Sequence, residues 1–133
     1  MSQYAALIID DDKNMRESLS DLLGAAGWSV RQASSARDGL RKLSDVDAVV
    51  SDVRMPGMTG LELLAEATDD GHPPIVLISA HGDIPTAVSA MQAGAYTFLE
   101  KPFEPQRLLQ ALTHAAEQHH LKREAAALRA RVS

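Results

Sequence analysis

Four groups of potentially reactive side chains follow apolar segments that look like buried strands. They are an acidic run, a single aspartate, a serine and a lysine: Asp10-Asp11-Asp12, Asp52, Ser79 and Lys101. In open parallel α/β sheets the ligand crevice lies beyond the carboxyl ends of the strands, so we expect these side chains to converge on one edge. Each alone has an ordinary explanation, such as a helix cap, a turn or a solvated charge. Their joint occurrence at four strand ends indicates a functional site.

The types of these side chains indicate phosphoryl chemistry supported by a metal ion. Adjacent carboxylates repel one another unless positive charge lies among them. Mg²⁺ suits such a place, because it commonly binds one or two carboxylates together with water and phosphate oxygens. A carboxylate can also act as a nucleophile and form an aspartyl phosphate. The transferred group then needs neutralisation of its oxygens, which Mg²⁺, the Lys101 ammonium and the Ser79 hydroxyl could supply.

The hydrophobic pattern predicts five strands that could carry these residues. Continuous apolar runs at 7–9, 49–50 and 75–78 are typical of strands buried on both faces. Residues 28–32 are mixed and predict an edge strand, and residues 95–99 predict a fifth strand.

Helical patterns fill the intervals between the strands. The first ends near Gly27, the second lies near 36–43, and Thr59-Gly60-Leu61-Glu62 matches a capping box that opens the third. The fourth covers about 84–93, and the fifth begins at Pro105 after Glu104 with no breaker before the end. This alternation predicts an α/β fold: a flavodoxin-like, doubly wound, five-stranded parallel sheet of order 2-1-3-4-5 with five helices, the last extended.

Composition and charge narrow the class of protein. The 133 residues suit one domain, there is no cysteine, and no apolar run approaches a membrane span. The amino-terminal residues do not resemble a signal peptide, so we expect a cytoplasmic protein without membrane contact. Residues 122–133 contain four basic residues and one acidic residue, so their net charge is +3. Since the net charge of the chain is −5, residues 1–121 carry −8. An acidic body argues against direct nucleic-acid binding.

Four sequence stretches together resemble one known family. They are IIDDD at 8–12, SDVRMPGMTG at 51–60, ISA at 78–80 and KPF at 101–103. In this order they are far more specific than any one of them. Residues 4–118 thereby resemble a response-regulator receiver domain, the phosphoacceptor of bacterial two-component signalling.

The resemblance implies a role for each matching residue. It implies that Asp52 is phosphorylated by a partner histidine kinase. It also implies that Asp11 and Asp52 bind Mg²⁺ through their carboxylates, Asp10 through water, and Arg54 through its backbone carbonyl. Apart from its own phosphorylation and dephosphorylation, we expect no enzymatic activity.

The same resemblance implies a switch around the phosphoryl group. Ser79 would bond a phosphoryl oxygen and Lys101 would pair with the group. Phe98 stands at the position of an aromatic residue that turns inward as the Ser79 hydroxyl moves. Lys101-Pro102 stands where the family has a cis peptide. Phe98 lacks the hydroxyl of the tyrosine in some members, and Ser79 replaces the commoner threonine.

Residues 81–88 and 91–96 resemble a subgroup of receivers, those of the C4-dicarboxylate transport regulator and the nitrogen regulatory protein C group. Those proteins activate transcription through an AAA+ ATPase domain and a helix-turn-helix domain, and nitrogen-fixation regulators with only a helix-turn-helix have a similar fourth helix. Residues 121–129 resemble the join between receiver and ATPase. We therefore expect a receiver domain at 1–118 and a helical extension at 119–133 towards an output domain, with a stand-alone adaptor as the alternative.

The extension also predicts self-association. Leu121, Ala125, Leu128 and Val132 are spaced 4, 3 and 4, which makes one seam of the coiled-coil type. Two heptads are short, so we expect a weak homodimer that also uses the face of the fourth helix, fifth strand and fifth helix. A solvated tail is the alternative.

Other patterns favour ordinary roles. His114, His119 and His120 are predicted to lie on a solvated helix face, and His81 to line the loop above the site. Residues 57–60 lack the Gly-Lys-Ser/Thr ending of a P-loop, and no dinucleotide fingerprint follows the first strand. Asp10-x-Asp12 also resembles the nucleophile motif of haloacid-dehalogenase-type phosphohydrolases. Those enzymes need a further acidic pair after the lysine, where only Glu104, Glu117 and Glu124 occur here.

Overall fold

Five short strands form one parallel sheet in the computed structural model, which describes residues 4–67, 71–80 and 83–132. The strands are β1 (Ala5–Ile9), β2 (Ser29–Ala33), β3 (Ala48–Asp52), β4 (Ile75–Ser79) and β5 (Thr97–Glu100). All pairings are parallel, in the order β2-β1-β3-β4-β5. The predicted fold class and strand order are confirmed. The second and fifth strands begin one and two residues later than the pattern predicted.

Five helices connect and flank these strands. They are α1 (Lys13–Ala25), α2 (Ala36–Lys42), α3 (Gly60–Glu66), α4 (Ile84–Gln92) and α5 (Pro105–Val132), and a 3₁₀ turn (Leu43–Asp45) follows α2. The capping box at Thr59 is confirmed: its hydroxyl accepts the Glu62 N–H at 3.2 Å, and the Glu62 carboxylate accepts the Thr59 N–H at 2.9 Å. These bonds satisfy amide groups that have no partner inside the helix, which explains why α3 begins where it does.

Two apolar cores lie on the two faces of the sheet. Alternate residues of a strand point to opposite faces, so Leu7 and Ile9 enter one core while Ala6 and Ile8 enter the other. The first core packs against α2 and α3, for example through Leu63, and the second packs against α1 and α5. The continuous apolar runs of the central strands are therefore explained by burial on both faces.

The start of α3 packs directly on the backbone at the end of β3. Gly60 donates its N–H to the Val53 carbonyl at 2.8 Å. A Cβ atom at Gly60 would lie 2.6 Å from the Asp52 carbonyl oxygen and 3.0 Å from the Val53 Cα. Glycine is therefore required at this position for α3 to approach the strand that carries Asp52.

The helix α5 packs on the sheet in its first half and extends past it in the second. Leu108, Leu112, Ala115 and Ala116 are completely buried. At about 1.5 Å per residue, 28 residues span roughly 42 Å, which exceeds the width of a domain of this size. Leu121 and Leu128 in the second half are 66% and 58% exposed.

The solvated-face prediction is wrong for His119, one of the three histidines of α5, while the side chain of His120 is 42% exposed and contacts Asp47. His119 is only 6% exposed, because it lies three residues after Ala116 and continues the buried face of the helix. Its burial, followed by the charge of Arg123, lowers the pKa of His119. His120 Nε2 lies 2.8 Å from Asp47 Oδ1, and Asp47 Oδ2 accepts the Ala5 N–H. His114 is exposed as predicted.

His81, predicted to line the loop above the site, lies outside the described residues. None of the helices described is both long and apolar enough to cross a membrane.

Candidate functional site

The strand register brings the predicted site residues to one edge of the sheet. Asp52 pairs with Ile78, so Ser79 lies one step beyond it on the neighbouring strand, and Ser79 in turn pairs with Glu100, directly before Lys101. Asp10 follows β1, which is the neighbour of β3 on the side away from β4. The convergence expected from the sequence is therefore present, because all of these strands are parallel and end at the same edge.

Three carboxylates form a close group at this edge. One oxygen each of Asp10, Asp11 and Asp52 lies within 4.8 Å of the others. Mg²⁺ binds oxygen at about 2.0–2.1 Å, so oxygens on opposite sides of one ion are roughly 4.2 Å apart. These carboxylates are therefore near the spacing that a shared divalent cation requires, and only small side-chain adjustments would bring them onto it.

Backbone and side-chain contacts hold the buried member of this group in place. Asp10 is 4% exposed, and its Oδ1 accepts the Asp12 N–H at 2.9 Å. Arg16 Nη1 donates to the Asp10 carbonyl at 2.8 Å. The Asp12 carboxylate in turn accepts the Asn14 N–H at 2.9 Å and caps α1, so the third aspartate of the run has a structural role.

The electrostatics of the group favour a bound cation. Burial raises the pKa of Asp10 above its ordinary value, and the charges of Asp52 and Asp11 raise it further. The Asp12 N–H and the Lys101 ammonium oppose this increase without cancelling it. A divalent cation among the carboxylates would offset both the desolvation and the mutual repulsion. The donor set therefore fits Mg²⁺.

Lys101 lies beside Asp52 on the side away from β1. Its Nζ is 3.7 Å from Asp52 Oδ2, and the two side chains are 34% and 14% exposed. The two groups therefore form an ion pair, but the distance between them is too long for a hydrogen bond. The Lys101 N–H donates to the Ser79 carbonyl at 2.8 Å, which ties the lysine to the end of β4. The Lys101-Pro102 peptide is cis, as the resemblance implied.

Ser79 is completely buried, and its hydroxyl has a partner that the sequence did not indicate. Its Oγ donates to Asp83 Oδ2 at 3.4 Å, and the same oxygen lies 3.0 Å from Arg54 Nη2. The Thr86 hydroxyl, and then the Arg54 guanidinium, hold the pKa of Asp83 below its usual range, so this carboxylate is ionised. The available signal was an aspartate immediately before a predicted helix, four residues after the candidate serine.

Phe98 and Arg54 are placed as follows. Phe98 on β5 is half-buried and packs against the core on the α2–α3 face of the sheet, opposite Leu77 of β4. Arg54 follows Asp52 by two residues, and its side chain is 73% exposed while its end contacts Asp83. The roles of Phe98 as a switch and of the Arg54 carbonyl as a ligand stay predictions.

Comparison with known proteins identifies the family. Residues 6–113 match the model of the response regulator receiver domain, and the chain belongs to this family. The family is not one of enzymes, which decides against the phosphohydrolase interpretation of Asp10-x-Asp12.

Individual relatives support the predicted subgroup. The C4-dicarboxylate transport transcriptional regulatory protein DctD of Pseudomonas aeruginosa is 43% identical over 131 residues, 96% of this chain and 28% of that protein. The transcriptional regulatory protein FixJ of Bradyrhizobium diazoefficiens is 46% identical over 114 residues, 84% of this chain and 56% of that protein. A crystal structure of NtrX from Brucella abortus has a TM-score of 0.82 and 38% identity, and the match covers 96% of this chain and 30% of that chain. The chain thus spans about a quarter to a half of these proteins.

Proposed function

We propose that Asp52 accepts a phosphoryl group from a phosphohistidine of a sensor histidine kinase. The observation that carries this proposal is the grouping of Asp52 with two further carboxylates on one side and the Lys101 ammonium, 3.7 Å away, on the other. Asp52 therefore lies between the other two carboxylates and the lysine. Its side chain is 14% exposed, so a donor can reach it from the edge of the sheet.

The transfer is a substitution at phosphorus. An oxygen of Asp52 forms a bond to phosphorus, the phosphorus–nitrogen bond to histidine breaks, and the electron pair leaves with the imidazole, which takes up a proton. Bound Mg²⁺ supplies positive charge to the phosphoryl oxygens. Asp10, Asp11, Asp52 and the Arg54 carbonyl are the groups that would hold the ion. Lys101 neutralises a phosphoryl oxygen, and water later hydrolyses the acyl phosphate.

We propose that phosphorylation of Asp52 changes a distant face of the domain through two side chains. The Ser79 hydroxyl turns to a phosphoryl oxygen, and Phe98 on the adjacent strand turns inward. Ser79 ends β4, next to β5, and Phe98 is on β5, which is part of the face formed by α4, β5 and α5. This is how phosphorylation would change the association of the domain without direct contact between Asp52 and a partner.

The output is proposed to be transcriptional control through a domain beyond this chain. Two of the compared relatives carry transcriptional regulation in their names, and the chain matches only part of each. We infer that this receiver controls an AAA+ ATPase domain, a helix-turn-helix domain or both, in the cytoplasm, with no direct nucleic-acid contact of its own. Residues 119–133 would be the helical extension that transmits the change, and a stand-alone adaptor is the alternative.

A weak homodimer is part of this proposal. Among the residues that the structure describes, two apolar surfaces are exposed: Ile84, Val88 and Met91 on α4, and Leu121 and Leu128 on α5. Ala125 lies between these leucines, and the side chain of Val132 is outside the described residues. Sedimentation of the full chain and of a version ending at Gln118, each with and without beryllofluoride, tests the dimer. Four monomeric samples at high concentration would contradict it.

Mass spectrometry after incubation with acetyl phosphate and Mg²⁺ tests the phosphoryl site. One hydroxylamine-sensitive phosphoryl group is expected on the unaltered chain and none on Asp52→Asn. Asp45→Asn, a neutralised aspartate at the opposite edge, should be phosphorylated normally.

Asp11→Ala should lower Mg²⁺ affinity and slow the reaction while keeping the fold. Single-site phosphorylation of Asp52→Asn would show that another residue is the acceptor.

A further inference from the structure

The buried Ser79 hydroxyl is held by a carboxylate outside the proposed phosphoryl site. Asp83 lies at the start of α4, and its Oδ2 accepts from Ser79 Oγ at 3.4 Å. The same oxygen contacts Arg54 Nη2 at 3.0 Å, so the carboxylate joins the end of β4, the start of α4 and the loop after β3. The Asp83 side chain is 16% exposed and that of Arg54 is 73% exposed, so the ion pair is shielded from water on the side of the carboxylate only.

Ser79 cannot serve Asp83 and a phosphoryl group at once. A serine hydroxyl has a single proton to donate. The proposed function requires that proton for a phosphoryl oxygen on Asp52, whereas the structure directs it to Asp83. Asp83 therefore competes with the phosphoryl group for the same donor.

The arrangement suits a restraint that can be released. At 3.4 Å the bond between Ser79 and Asp83 is near the long limit of hydrogen bonds, so it is weak. The hydrogen bonds from Thr86 and the shorter, charge-assisted bond from Arg54 hold the carboxylate in position. Releasing the serine thus costs little, while the acceptor stays where it is.

We propose that Asp83 is a positioning residue that restrains the Ser79 hydroxyl in the unphosphorylated state and so opposes activation, with Thr86 and Arg54 holding Asp83 in place. This inference rests on the proposed function, because it assumes that a phosphoryl group forms on Asp52. It predicts that the affinity for a phosphoryl mimic increases, whereas a substitution that merely damages the site would lower this affinity. Loss of the Asp83 charge strengthens binding of a phosphoryl mimic.

Titration of the full chain with beryllofluoride in excess Mg²⁺ tests the inference. Asp83→Asn keeps the shape of the side chain but removes its charge, which weakens the acceptor and ends the ion pair with Arg54. Asp83→Ala removes the acceptor altogether. Both variants should bind the mimic about two- to threefold more tightly, the low end of the range expected for loss of one competing hydrogen bond, because this bond is long. Asp45→Asn, whose carboxylate pairs with Arg31 at the opposite edge, is the matched control and should bind like the unaltered chain.

A double variant shows whether Ser79 carries the effect. In a Ser79→Ala background, Asp83→Asn should no longer change beryllofluoride affinity, because no hydroxyl remains to be released. Mg²⁺ affinity without beryllofluoride should be the same with and without the Asp83 change.

Each remaining outcome would overturn the inference. Unchanged or weaker binding by both Asp83 variants refutes it while the unaltered chain still binds the mimic. An equal gain in the Ser79→Ala background shows that Asp83 does not act through Ser79. Failure of the unaltered chain to bind beryllofluoride with Mg²⁺ is a different result, since it removes the proposed function itself and this inference with it.

Discussion

Gly60→Ala should destabilise the protein by forcing α3 away from the strand that carries Asp52. The added Cβ would lie 2.6 Å from the Asp52 carbonyl oxygen and 3.0 Å from the Val53 Cα. Both are backbone atoms, so no side chain can rotate to relieve the contact. Leu77 Cδ2, at 3.1 Å, restricts the remaining space.

The magnitude follows from two opposing contributions. Inserting a group into a well-packed core costs about 1–3 kcal/mol of stability. Replacing glycine by alanine in a helix returns roughly 0.5–1 kcal/mol. Because the two shortest contacts are with backbone atoms, we take the upper part of the packing cost, about 2–3 kcal/mol, and expect a net loss of about 1–2 kcal/mol, which for a domain of this size lowers Tm by roughly 4–8 °C.

Urea and thermal denaturation of Gly60→Ala measure this loss, and Gly24→Ala is the matched control. Gly24 is also in a helix, but beyond its chain neighbours and its own helical backbone, no described atom lies within 4 Å of its added Cβ. Gly24→Ala should therefore be neutral or stabilising by up to about 1 kcal/mol. Acetyl phosphate should modify Gly60→Ala more slowly, because the backbone of Asp52 is displaced. If Gly60→Ala is as stable as the unaltered chain, the close approach of α3 does not determine the position of Asp52.

Two further predictions concern titratable groups. Asp10→Asn should increase the free energy of unfolding at neutral pH without Mg²⁺, because the raised pKa of Asp10 means that its charged form destabilises the folded state. That advantage should shrink as the pH falls through the pKa that Asp10 has in the folded state. Mg²⁺ should stabilise the unaltered chain more than the variant. Urea titrations with and without Mg²⁺ measure both effects, and equal stabilities would contradict the prediction. For His119, whose pKa is lowered, the folded state favours the neutral form, so stability should be lost as the pH falls below about 6.5, the pKa of an unfolded histidine. The decrease in Tm between about pH 7.5 and about pH 5.5 should be smaller in His119→Gln, and equal decreases would show that His119 does not contribute.

The architecture and the position of the acidic site could be predicted from the sequence because they depend on local patterns. Apolar runs indicate strands that are buried on both faces, and helical spacing between them requires parallel crossovers. Parallel strands end at one edge, so Asp10, Asp52, Ser79 and Lys101 had to converge there. The types of these side chains indicated phosphoryl transfer with Mg²⁺, whereas the choice of Asp52 as the acceptor and the individual metal ligands came from the resemblance to receiver domains.

Tertiary structure alone decided which partners these side chains have. The contacts of Asp83 with Ser79 and with Arg54 join three segments whose side-chain directions depend on how α4 and the loop after β3 pack. His119 illustrates the same limit: it is polar in type, yet it is buried because α5 remains on the body for one turn longer than the pattern of apolar residues indicates. His120 is paired because Asp47, 73 residues earlier, is positioned beside it by the start of β3. Contacts of this kind depend on the relative placement of complete elements, and neither composition nor periodicity contains that information.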